Sequence, residues 1–207
     1  MSMTIAQRLR GLQKWLYVNA CKGRKMKAMG KNDLDIVYRE PYVKLLLFTD
    51  AEAVPEVPKQ GAPCILILVK ESGMRDMEQR FDRYKGINRP KPMAGMLSFQ
   101  LVFVTYDPGH RTEKSQADQT YADVFSNEEE AYLAVLDWAE ETMNSLIELG
   151  SVPGTDLMID PVDIRCGPMM QYGVLLDRRP LYYGVVDGVF GCQARMISNQ
   201  QVNILLD

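Results

Sequence analysis

Residues 64–69 read CILILV, six apolar positions without a polar interruption, and this run narrows the possible architectures more than any other stretch. It is short, rich in branched side chains and bounded by Pro63 and Lys70. It therefore reads as a β-strand buried on both faces. Strand-forming segments flank it, LDIVYREPYVKLLLF at 34–48 and MLSFQLVFVTYD at 96–107. Pro41 interrupts the first and removes a ladder donor, so that segment is a bulged or edge strand, or two strands meeting at a bend. Between them, TDAEAVPEVPKQGAP (49–63) has three prolines and no apolar period, which predicts a loop.

Two segments have helical spacing. Ile5, Leu9, Leu12, Trp15 and Leu16 predict an amphipathic helix over 4–19, capped by Thr4. Its continuation, KGRKMKAMGK (22–31), has no apolar period and reads as a loop or arm that orders only against something else. Ser126 and Glu129 fit a capping box that would open a second helix. Tyr132, Val135, Leu136, Ala139, Met143, Leu146 and Ile147 form its apolar stripe, and Gly150 ends it. Glu128, Glu129 and Glu130 then sit where a helix start favours negative charge.

Long polar connections are expected between these elements, ESGMRDMEQRFDRYKGINRPKP after the first strand and GHRTEKSQADQTYADVF after the Asp107-Pro108-Gly109 turn. The last third, LMIDPVDIRC, MMQYGVLLD and LYYGVVDGVFGCQARM, reads as strands that glycines bend or bulge. Helix, strands, helix, strands is not the alternation of a parallel sheet. The order predicts one α+β domain over 1–207, a mostly antiparallel mixed sheet with helices packed on one face and long polar loops. Residues 1–32 form its basic helix and arm, and 33–207 its body.

Charge is segregated along the chain. Residues 1–32 hold eight basic side chains and no acidic one, which leaves 33–207 with 16 basic and 27 acidic groups, a balance of −11. Such a chain can dock its basic end on the acidic body of a neighbour. Nucleic-acid contact and a merely solvated basic face are the competing readings. An apolar fraction of 46% excludes disorder as the main state. No apolar run approaches the ~20 residues of a membrane span, and the N-terminus lacks the core of a signal peptide, which predicts assembly in the cytoplasm.

The search for chemistry finds little. Cys21, Cys64, Cys166 and Cys192 are scattered, which predicts free thiols and no zinc site. His110, the single histidine, follows a turn in a polar loop and reads as a solvated side chain. Gly184, Gly188 and Gly191 do not have the spacing of a phosphate cradle. Asp160 and Asp163 flank Pro161 as a turn or strand end would. No enzyme activity, metal or cofactor is expected.

Two arginine-aromatic clusters remain, Arg80-Phe81-Asp82-Arg83-Tyr84 and Asp177-Arg178-Arg179-Pro180-Leu181-Tyr182-Tyr183. Arginine and tyrosine suit interfaces, because both join contact area to directional hydrogen bonds. Arg24, Lys25, Lys27, Arg80, Phe81, Arg83, Tyr84, Arg178, Arg179, Tyr182 and Tyr183 are therefore the candidate interface residues. The stretches LQKWLY (12–17), RFDRY (80–84) and DRRPLYYG (177–184), with the later FGC, give the chain a pattern that resembles tail-terminator and tail-completion proteins of long-tailed phages. The resemblance implies a structural subunit of a phage or phage-like tail, in a hexameric ring that caps the tail tube and joins it to the head. It also implies a place in the virion, at the tail or neck, with tail-tube and head–tail connector proteins as partners and possible contact with passing DNA. The alternative is a nucleic-acid-binding module that uses the basic arm and the Arg/Tyr clusters.

Overall fold

The computed structural model describes residues 3–31, 36–46, 57–76, 93–108, 121–159, 161–176 and 178–192. Helix α1, Ile5–Leu16, begins at Thr4 in a reciprocal capping box: the Gln7 amide donates to Thr4 Oγ1 at 3.2 Å and the Thr4 amide to Gln7 Oε1 at 2.8 Å. Leu9, Leu12, Trp15 and Leu16 are buried as their spacing requires, whereas Ile5 is exposed. The helix widens into a π-helical turn over Tyr17–Cys21 before the chain leaves it.

The basic segment that follows is not a free arm. Met26–Met29 forms strand β1, paired antiparallel with β2, Ile36–Arg39. Ala28 and Met29 are buried, and the Lys27 ammonium reaches Asp107 at 2.7 Å. The segment lacks periodicity because its anchors are one small side chain and two methionines, which are weak pattern signals. The prolyl break is real: β2 and β3, Tyr42–Leu46, lie on either side of Pro41 and belong to different sheets.

The main sheet has the order β3, β4 (Cys64–Asp76), β5 (Met93–Tyr106), β10 (Leu181–Cys192) and β6 (Met158–Ile159), with β7 (Arg165–Pro168) also pairing along β10. β3 runs parallel to β4 and every other pair is antiparallel. The fold is thus α+β with a mixed, mostly antiparallel sheet. β4 alternates between two cores. Ile65 and Ile67 face the helices, and Cys64 and Leu66 face the opposite side.

Two boundaries differ from expectation. β4 runs on to Asp76, so Glu71–Asp76 are strand and not part of a polar connection; they pair with Met93–Ser98 beyond a register shift at Val69/Glu71. Ladder hydrogen bonds hold them whatever their side chains are. Helix α2 spans Tyr121–Leu149, starting five residues before Ser126. Ser126 and Glu129 are therefore inside the helix and the three glutamates are not at its start. YADVF contains no glycine or proline, so nothing stops the helix from propagating backwards. The other end is as expected: Gly150 adopts φ +65° and donates its amide to Leu146 and Ile147 carbonyls.

α1 and α2 cover one face of the sheet. The opposite face is covered by Met29 of β1, by Val57 and Ala62, and by Met169 and Leu176 at the base of a small hairpin, β8 (Met170–Gln171) and β9 (Val174–Leu175). The glycines of β10 do not mark bulges, since β10 pairs with β5 in unbroken register from Leu181 to Cys192. They permit close approach instead. A Cβ on Gly184 would lie 3.2 Å from the Val135 carbonyl oxygen, and one on Gly188 2.9 Å from the Phe99 ring.

α1 is tied to the loop after α2 by a part-buried ion pair. Arg8 Nε and Nη2 donate to the two carboxylate oxygens of Asp156, both at 2.6 Å. Removing one partner strands a part-buried charge, whereas replacing both with apolar residues does not. Asp156→Ala should lower the urea-unfolding free energy by about 1–3 kcal/mol, since the pair is only part-buried. The double replacement Arg8→Leu with Asp156→Leu should recover most of that loss.

Candidate functional site

The sequence-based interface residues do not form one patch. Tyr182 and Tyr183 are buried, 3% and 1% exposed, because β10 runs through the middle of the sheet and both of its faces are covered. Tyr182 packs edge-to-face on Tyr132 with centroids 4.8 Å apart. Both tyrosines are core residues and are removed from the surface set. Arg24 bonds to Glu141 and Lys27 to Asp107, so two of the three arm residues are engaged within the chain. Lys25 is exposed. Arg178 is half-buried in a bridge to Leu181, and Arg179 is exposed. The fold brings Lys27 and this turn together through Asp107, whose amide donates to the Pro180 carbonyl at 3.0 Å. Arg80, Phe81, Arg83 and Tyr84 lie outside the described residues, as does His110.

The structure displays other surfaces that patterning did not single out. The β8–β9 hairpin turns on Tyr172 and Gly173, both with positive φ, +52° and +77°. Two left-handed residues make the tight turn that matches strand twist. For tyrosine that backbone region is costly. Its side chain is 84% exposed at the tip, with Val174 at 68% and Met170 at 52% beside it. A second hairpin, β1–β2, exposes Ile36, Val37 and Tyr38 in succession. Gly173 is the one sequence cue to this turn, and only the packing leaves its flanking apolar residues outside.

The chemistry available at described residues is limited. No three His, Cys, Asp or Glu groups among them converge as metal ligands, and none of their helices is long and apolar enough to cross a membrane. A shallow cleft of about 80 Å³ lies between α1 and α2, bridged by the Arg24–Glu141 pair. All four thiols are free, with Cys21, Cys64 and Cys192 buried and Cys166 half-buried. Burial pushes Cys21 up to about 12 and Cys64 up to about 11.

Compared with known proteins, the chain matches no family model, no curated protein and no solved structure.

The raised thiols have a stability consequence. Below pH 9.0, the ordinary thiol value, folded and unfolded chains are both protonated and the contribution is complete. Above it, the unfolded chain releases thiol protons that the folded chain keeps, so stability falls as pH rises toward 11–12. Urea midpoints should decline across that window. A Cys21→Ala and Cys64→Ala variant should decline less steeply, and equal slopes would show that the two thiols do not contribute.

Proposed function

We propose that the chain is a structural subunit that assembles with copies of itself in a phage or phage-like tail, as a terminator or neck ring between tail tube and head. The observation that carries the assembly reading is the β8–β9 hairpin, which holds a strained tyrosine with Met170, Val174 and Leu175 in water around a two-residue turn. Exposed apolar groups gathered on a projecting element mark a binding surface. Backbone strain kept at such a tip is a further reason to look for function there. The β1–β2 hairpin supplies a second exposed apolar surface, Ile36, Val37 and Tyr38, bounded by Arg39, Glu40 and Pro41. The specific place in a tail rests on the resemblance of residues 12–17, 80–84 and 177–184 to tail-terminator and tail-completion proteins.

The nucleic-acid reading is less favoured. Arg8, Arg24 and Lys27, three of the eight N-terminal cations, are already paired with the chain's own carboxylates.

Light scattering on the purified protein should give a defined oligomer, or a monomer that forms rings on tail tubes. Tyr172→Asp with Val174→Asp should reduce that association at least tenfold and leave the thermal melt nearly unchanged, because neither side chain is packed (~1.4 kcal/mol per tenfold). A wild-type chain that stays monomeric both alone and with tail-tube protein would overturn the reading.

A further inference from the structure

The solvent face of α2 carries a feature that the fold does not need. Its 29 residues contain eight carboxylates and no lysine or arginine. Exposed helices ordinarily mix the two signs, because pairs four residues apart support each other. Here Glu130, Asp137, Glu141 and Glu148 are all exposed at intervals of seven, four and seven, which aligns them in one ridge. At 1.5 Å per residue the ridge is about 27 Å long. Asp137 and Glu141 repel each other, and Glu148 opposes the helix dipole in a last turn that holds no basic residue. Of these four carboxylates, only Glu141 has an ion-pair partner among the described residues, Arg24.

The complementary surface is on the same chain. Arg10 and Lys14, four residues apart, share the solvent face of α1, and Lys22 and Lys25 follow it. All four are exposed, and none has an ion-pair partner among the described residues. They cannot swing freely onto their own α2, because α1 is held by Leu9, Leu12 and Leu16 in the core and by the Arg8–Asp156 pair. The Arg24–Glu141 contact shows that a cation from this segment fits the ridge.

We infer that the acidic ridge of α2 receives the basic face of α1 from a second copy of the chain. A nucleic acid would satisfy the cations, but the carboxylate ridge would repel it and remain unanswered. A second copy satisfies both surfaces in one contact. Because the two surfaces differ, the contact is head-to-tail and leaves one free surface of each kind at the ends, which is how closed rings are built. This inference rests on the self-assembly reading above and names the contact that it needs.

The test uses two charge-reversed full-length proteins. One carries Glu130→Lys, Asp137→Lys and Glu148→Lys; the other carries Arg10→Glu, Lys14→Glu and Lys25→Glu. Light scattering at low salt should show wild type associated, each variant alone dissociated, and an equimolar mixture of the two associated again, since their surfaces are then complementary. Wild-type association should also weaken roughly tenfold between about 50 mM and about 500 mM salt, because exposed charge pairs are screened. If a reversal disturbs the circular dichroism melt, the neutral set Glu130→Gln, Asp137→Asn and Glu148→Gln replaces it and should weaken association by at least threefold. Wild-type oligomers whose variants also assemble, or variants that stay apart when mixed, would overturn this contact and leave the assembly reading standing. Variants that assemble normally while the basic-face reversal abolishes binding to a single-stranded oligonucleotide would overturn it in favour of nucleic acid. A wild type that never associates removes the assembly reading itself, and this contact with it.

Discussion

Trp138 is the point on which the layers depend. It is fully buried, its ring meets Phe103 of the sheet edge-to-face at 5.1 Å, and its indole N–H donates to the Ala20 carbonyl at 2.9 Å. One side chain therefore joins α2, the central strand β5 and the turn that ends α1. An indole buried without a hydrogen-bond partner is costly, so the position of the Ala20 carbonyl is constrained as tightly as that of the ring. The widened Tyr17–Cys21 turn supplies that carbonyl. From there the chain passes to the other side of the sheet, where Met29 packs.

The rest of the architecture follows from a sheet buried on both faces. Alternate residues of β4, β5 and β10 supply two separate cores, one under the helices and one under short hairpins. Glycine at 184 and 188 lets the helix and the Phe99 ring close on β10. Short hairpins are inefficient covers, since a two-stranded ribbon has one row of residues for the core and leaves the other in water. The apolar groups on the β1–β2 and β8–β9 hairpins are outside for that reason.

Charge is arranged on a larger scale than the individual pairs. Within the chain, Arg8, Arg24 and Lys27 tie the basic segment to the body. The exposed Arg24–Glu141 pair is worth little in water, whereas the Arg8–Asp156 pair, shielded on both sides, holds geometry. What remains is the positive face of Arg10, Lys14, Lys22 and Lys25 and a negative ridge in which, among the described residues, only Glu141 is paired.

Much of the fold was legible from residue pattern. CILILV required a strand with two covered faces, Thr4 announced α1, Gly150 ended α2, and Pro41 separated two strands. These features are local, the α1 signal being Thr4 and the apolar spacing alone: they depend on backbone geometry and on side-chain period over one or two turns. Partner-dependent features were not legible. Glu71–Asp76 are strand because Met93–Ser98 lie beside them, and a polar stretch carries no sign of that. The strand at 26–29 exists because a sheet face needed covering. Tyr182 and Tyr183 read as surface groups beside two arginines, yet the position of β10 inside the sheet buries them. The segregation of charge was already in the amino-acid order. Which charges are neutralised within the fold, and which stand free on α1 and α2, was decided by tertiary packing, because pairing requires side chains far apart in sequence to meet within hydrogen-bond distance.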